Sequence, residues 1–133
     1  MAKVKRLTVS LENQPGRLAA VAKVLADAKV NIEAVLAATA GAQSSAQLVV
    51  DNVTKAKKAV SAAQFVYTEG TLDRVELPNK AGALADFAAN LAKNGLNIDT
   101  AYGTLPKGAR KSVLLLATSK PVGDRKMRSL ARR

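Results

Sequence analysis

LENQPGRLAAVAKVLADAKVNIE at residues 11–33 returns as LPNKAGALADFAANLAKNGLNID at residues 77–99, at a constant offset of 66 and without a gap. Leu11, Asn13, Gly16, Leu18, Ala19, Ala22, Leu25, Ala26, Asn31 and Ile32 recur as Leu77, Asn79, Gly82, Leu84, Ala85, Ala88, Leu91, Ala92, Asn97 and Ile98. A repeat this long points to two copies of one supersecondary unit, because solenoid repeats have shorter periods. In each copy a turn around Gly16 or Gly82 leads into apolar residues at i, i+3, i+4 and i+7. These are Leu18, Val21, Ala22 and Leu25, then Leu84, Phe87, Ala88 and Leu91. That spacing predicts a helix with those residues on its buried face. Val30, Ile32, Ala34 and Leu36 then alternate with other residues, as in a strand with one buried face. The repeated unit reads strand, turn, helix, strand.

Working outward, Leu7, Val9 and Leu11 alternate with Thr8 and Ser10 and predict a first strand after the basic lead-in Lys3 to Arg6. A helix over 16–28, ending at Asp27–Lys29 without a glycine, and a strand over 30–38 follow. Thr39–Ser45 (TAGAQSS) reads as a small flexible connection, and Ala46–Val50 as a third strand. Asp51 or Asn52 can cap a second helix with Val53, Ala56, Ala59, Val60 and Ala63 inward and Lys55, Lys57 and Lys58 in water. Gln64–Tyr67 reads as a short fourth strand. After Glu69–Gly70 the second copy offers a strand through Leu72, Val75 and Leu77, a helix over 81–94 and a strand over 96–104. A Pro106–Lys107–Gly108 turn and a strand Val113–Ala117 complete it. The join is too short for a flexible linker. Residues 1–69 and 70–119 are thus two units. KPVGDRKMRSLARR, residues 120–133, stands where the first copy has a helix and a closing strand, so it reads as a basic tail and the second unit as lacking its last strand.

The chain has 133 residues, 48% of them hydrophobic and only 3% aromatic, so its core must be built from Ala, Val, Leu and Ile. Half of that core falls to each copy, too little for either to be expected to stand alone. The formal net charge is +11, and residues 120–133 hold six of the 21 Lys and Arg with Asp124 as their one acid. The basicity therefore belongs largely to the tail. With no His and no Cys there is no imidazole base, thiolate nucleophile, disulfide or N/S metal site. The acids show no DxD or ExxE clustering, and neither a P-loop nor a GxGxxG motif occurs. The expectation is a non-enzyme without cofactor or metal. No apolar run approaches the roughly 20 residues of a membrane span, and the N-terminus lacks a signal-peptide core. The absence of Cys agrees with a cytoplasmic chain.

What remains is duplicated polar chemistry. Asn13 and Asn79 lie in the strand-to-helix turns, Asn31 and Asn97 at the start of the following strands. If those strands are sheet neighbours, the pairs approach one another near the helix N-terminus. An Asn amide carries donors and an acceptor and serves either end of a zwitterion. The first-turn amides at Gly16–Leu18 and Gly82–Leu84 favour a carboxylate. A free amino acid fits. Against that stands the structural reading, in which each Asn is only a cap or turn former and each Gly a steric necessity.

ENQPGRLAAVAKVLADAKVNIEAV, residues 12–35, resembles the ACT domain, a small-molecule-binding regulatory module with a polar residue, Pro-Gly, an apolar helix and a run ending in Asn-Ile. Over about residues 5–118 the chain resembles small stand-alone proteins made of two ACT copies. The resemblance implies an α+β fold of two ferredoxin-like βαββαβ units in tandem, with antiparallel sheets. It also implies pairing of units side by side, in a homo-oligomer such as a dimer, and amino-acid binding between paired units. By position it implies ligand contacts from Asn13, Gly16, Arg17, Leu18, Asn31 and Ile32, and from Asn79, Gly82, Ala83, Leu84, Asn97 and Ile98. The second copy reads Asn79-Lys80-Ala81-Gly82, without the proline of the first. Regulatory output is then expected to pass through another protein. Two other readings stay beside this one: an assembly module whose units only pair, and nucleic-acid or acidic-partner binding through Lys120, Arg125, Lys126, Arg128, Arg132 and Arg133. The second lacks an aromatic stacking platform.

Overall fold

The computed structural model describes residues 2–104 and 107–131. Pro106, expected in a turn, and Arg132 and Arg133, expected in the tail, lie outside the described residues. The chain forms two compact units, Lys5–Gly70 and the combination of Met1–Val4 with Thr71–Arg133.

The first unit comprises β1 (Ala2–Leu11) from Lys5 onward, α1 (Arg17–Asp27), β2 (Ile32–Ala40), β3 (Gln43–Val50), α2 (Val53–Ala62) and the opening of β4 (Tyr67–Pro78). Its strand order is β2-β3-β1-β4. β3 pairs antiparallel with β1, Leu7 opposite Leu48, and with β2, Ala37 opposite Ala46. The Ser10 amide donates to the Val66 carbonyl at 2.9 Å beside the β4 opening. Period-two positions Leu7 and Val9 meet Ala46, Leu48 and Val50 under helix positions Val21, Leu25, Ala56 and Val60. Each fully buried Leu or Val there contributes about 1.5–3 kcal/mol of transfer free energy.

The helix ends follow local chemistry. The Asn52 side chain accepts from the Lys55 amide at 3.0 Å and caps α2, so Asn52 rather than Asp51 fills that role. Lys29 closes α1 in the left-handed region at φ 61°, where the amides of Lys29 and Val30 return to the carbonyls of Ala26 and Leu25. The equivalent residue in the second copy is Gly95, φ 69°, with the same pair of bonds from Gly95 and Leu96 to Ala92 and Leu91.

The second unit comprises the rest of β4, α3 (Ala83–Lys93), β5 (Ile98–Thr104), β6 (Lys111–Thr118) and α4 (Asp124–Ala131). β6 lies between β4 and β5, antiparallel to both, with Val75 and Gly103 opposite Leu114. Val75, Leu77, Phe87, Leu91 and Leu116 form one core with Val122, Met127, Leu130 and Ala131. The start of β1, Ala2–Val4, also belongs to this unit. The Lys3 ammonium meets Asp73 Oδ1 at 2.5 Å and donates to the Val122 carbonyl. Asp73 is buried, and a buried carboxylate requires such a partner.

The α+β architecture with antiparallel strands in a βαββαβ order is the one expected, with four differences of detail. First, Thr39–Ser45 is no flexible connection. It contains the end of β2, a two-residue turn at Gly41–Ala42 and the start of β3, with Ala40 opposite Gln43. Gly41, at φ 62°, takes the first central position of that turn, where two-residue loops favour glycine. Second, Glu69–Gly70 does not break the chain, because both residues lie inside the continuous strand β4. Third, residues 120–131 are not a solvated tail: α4 buries Met127, Leu130 and Ala131 at helical spacing while Arg125, Lys126 and Arg128 face water. The second copy still has no closing strand of its own among the described residues, and the start of β1 takes its place beside β4. Fourth, Leu18 and Leu84, placed on the buried helix faces by their spacing, are 43% and 54% exposed, and Ala63 is exposed. Both leucines sit in a first helical turn at the rim of a cleft, Leu18 across from Ala37 and Ala38 and Leu84 across from Ala101 and Gly103.

Candidate functional site

Each unit carries a cleft at the helix N-terminus. In the first unit a cavity of about 230 Å³ lies between the turn residues Leu11, Glu12, Asn13, Gln14, Arg17 and Leu18 and the β2–β3 hairpin residues Ala37–Thr39, Ser44 and Ser45. The chain reaches it because β1 ends at Leu11 and α1 starts at Arg17, while β2 and β3 bring their hairpin end to the same edge. Leu11 pairs with Ser44 in the β1–β3 register, and the Thr39 and Ser44 hydroxyls share a hydrogen bond at 2.7 Å. Gly16 precedes the helix at φ 87°, a conformation costly for residues with a Cβ, and no side chain caps the amides that follow. Those amides face the end of the dipole that attracts anions.

Arg17 is held from two sides. Its guanidinium carbon lies 5.3 Å from the Phe65 ring centroid, and NH2 stands 4.0 Å from Glu12 Oε1. Among the described residues the Asn13 side chain makes no hydrogen bond and is exposed beside the cavity.

The second unit has an equivalent cleft with different chemistry. About 250 Å³ is enclosed by Leu77, Leu84, Ala101–Thr104 and Ser112–Leu114. Leu77, Leu84 and Gly103 stand where Leu11, Leu18 and Ala37 stand in the first. Gly82 repeats the uncapped left-handed start at φ 88°. Ala83 replaces Arg17, and Asn79 is engaged within its own unit: its Nδ2 donates to the Ala109 carbonyl at 2.9 Å and its amide to the Arg110 carbonyl at 2.8 Å.

Of the residues singled out in the sequence, Asn13, Arg17 and Leu18 line the first cavity and Leu84 the second. Gly16 and Gly82 shape the turns. Asn31 and Ile32 are not brought to Asn13 within their unit. They lie where β2 begins, beneath the C-terminal end of α1, whereas the cavity takes the other end of β2 at Ala37–Thr39. Seven residues of strand separate Asn31 from Ala38, roughly 23 Å. The Asn31 backbone is tied to Asp51, whose Oδ1 accepts at 3.0 Å and whose amide donates at 3.1 Å. Asn97 has the same place below α3, bonded through its backbone to Ser119 and through Nδ2 to Asp99 Oδ1 at 3.1 Å, with Ile98 after it. The hairpin residues Thr39, Ser44 and Ser45, and Phe65 under Arg17, escaped the sequence reading. The Gly41–Ala42 turn was the signal for the first three; nothing local marks Phe65.

Three comparisons with known proteins bear on this geometry. Residues 5–62, which span the first cleft, match the ACT domain family. Among solved structures, the chain is similar to protein BT0572 from Bacteroides thetaiotaomicron, with 27% identity and a TM-score of 0.82 over 89% of this chain and 81% of that one. It is also similar to aspartokinase alpha and beta subunits, at 17% identity and a TM-score of 0.66 over 86% and 84%. The ligand-free regulatory subunit of aspartate kinase from Thermus thermophilus gives 15% identity and a TM-score of 0.62 over 86% and 82%. The last two show the fold alone. Among curated proteins, none matches the sequence.

Proposed function

Since residues 5–62 match the ACT domain family, we propose that this protein is a non-catalytic regulatory module that binds a free amino acid, or a similar small zwitterion, in the first cleft. The observation that carries the reading is the unengaged Asn13 side chain at the rim of a cavity that also holds Arg17 and abuts uncapped helix amides. The α-carboxylate lies against the first-turn amides of Gly16 and Leu18, beside the Arg17 amide that donates to the Gln14 carbonyl at 3.4 Å, and the ammonium against Asn13 Oδ1 and Glu12. Leu18, half exposed, covers the ligand's apolar part. Asn31 and Ile32 act from a second copy of the chain. β2 ends its sheet with an open edge, and exposed Val35 on it favours pairing of copies in a homo-oligomer. The second copy, with Asn79, Gly82, Ala83 and Leu84 at its turn and Asn97 and Ile98 at the far strand end, has its asparagine side chains engaged locally and contributes little to binding. Occupancy of the first cleft then biases pairing between copies, or docking of a regulated protein. The test is thermal unfolding in the presence of each of the twenty amino acids. A binder raises Tm with concentration by mass action, by about 2.7 kcal/mol in stability at one hundred times Kd. No shift with any of them overturns the reading.

A further inference from the structure

We propose that the first cleft selects an acidic amino acid, with Arg17 receiving its side-chain carboxylate, and that each chain binds one. The inference rests on the amino-acid reading of that cleft. Arg17 stands at the first position of α1 with its guanidinium stacked 5.3 Å from the centre of the Phe65 ring. Arg17 lines the cleft with its side chain 35% exposed, and a guanidinium held over a ring in this way can grip a carboxylate with two parallel bonds. The protein itself does not answer those donors. Nε is buried without a hydrogen-bond partner among the described residues, and Glu12 Oε1, at 4.0 Å from NH2, is beyond hydrogen-bond reach on a side chain 65% exposed. The α-carboxylate has its own place at the uncapped amides of the same turn, so the guanidinium is left for a second anionic group. The other copy serves as an internal control. It has Ala83 in place of Arg17, and its cleft is lined by Leu77, Leu84, Val113 and Leu114 with no charged side chain among the described residues.

Isothermal titration of the full chain with aspartate, glutamate, asparagine and glutamine tests this, because each acid and its amide differ only in the group Arg17 is to meet. We expect aspartate or glutamate to bind at least tenfold more tightly than its amide, at one per chain. Arg17→Gln abolishes that ratio and leaves the amide's Kd within about twofold. Arg17→Lys, which keeps the charge but not the two-pronged geometry, lowers the ratio without removing it, and melting curves of both variants establish that they fold. Equal affinity of acid and amide overturns the inference, as does an Arg17→Gln variant that weakens both alike; either result leaves the amino-acid site itself standing. Failure of every amino acid to bind the folded protein overturns both.

Discussion

The two strand-to-helix turns began as the same device and now differ in what their side chains do. Both start a helix on a left-handed glycine without a capping side chain, and both overhang a cleft of similar size. In the first, the Asn13 side chain makes no hydrogen bond among the described residues, and Arg17, over the Phe65 ring, keeps its buried Nε unpaired. In the second, Asn79 fastens the turn to the β5–β6 connection and Ala83 removes the charge. A duplicated sequence thus keeps the backbone of the turn while the partners of its side chains differ between the copies. The lesson is that recurrence of a residue shows recurrence of a fold position, and only the partners of the side chain show whether it is available to a ligand.

The comparison extends to how each unit is closed, and the largest expected effect lies there. Met127 is 1% exposed in α4 beside Lys126 in water. Met127→Lys is expected to lose about 4 kcal/mol or more in urea unfolding, while Lys126→Ala stays within about 0.5 kcal/mol. Equal, negligible effects of both would mean that residues 120–131 are a solvated tail after all. Next come the asparagines themselves. Asn13→Ala weakens amino-acid binding about tenfold with little change in stability, whereas Asn79→Ala leaves binding unchanged and lowers stability by about 1 kcal/mol, through its lost bond to Ala109. Calorimetry and denaturation on both variants read the two columns of that contrast, and a reversed pattern breaks it. The helix starts separate by about the same amount: Asn52→Ala is expected to cost about 1 kcal/mol as a lost cap, and Gly16→Ala about 1–2 kcal/mol as a strained left-handed residue, in thermal unfolding. The smallest effect is at the helix ends. Lys29→Gly, which gives α1 the residue that α3 already has at Gly95, raises stability by roughly 0.5 kcal/mol, and Gly95→Ala lowers it by about 1 kcal/mol.

Much of the fold was written in periodicity. Leu7 and Val9, Val21 and Leu25, and Phe87 and Leu91 announced their elements because one period of two and one of 3.6 were each repeated sixty-six residues later. The continuous β4 was not readable, since Glu69 and Gly70 carry turn-forming character and only pairing across the strand overrules it. In residues 120–131 the basic side chains mask Met127, Leu130 and Ala131, whose spacing describes a helix face. Of the residues lining the first cleft, Asn13 was legible in the duplicated turn, and Arg17 and Leu18 were implied by the family resemblance. Asn31 was expected nearby on an incorrect direction: a strand that follows a helix begins at that helix's far end. The Phe65 support of Arg17 joins residues distant in sequence, and no local pattern records it.

The two clefts are expected to differ in one respect above all, the first binding a free amino acid and its counterpart none. Backbone amide chemical shifts, followed as free amino acids are titrated into the labelled protein, test this most directly. The amides of Gly16, Arg17 and Leu18 are expected to move in a saturating manner while those of Gly82, Ala83 and Leu84 stay in place. Movement centred on the second set, or none at either under any amino acid, would contradict it.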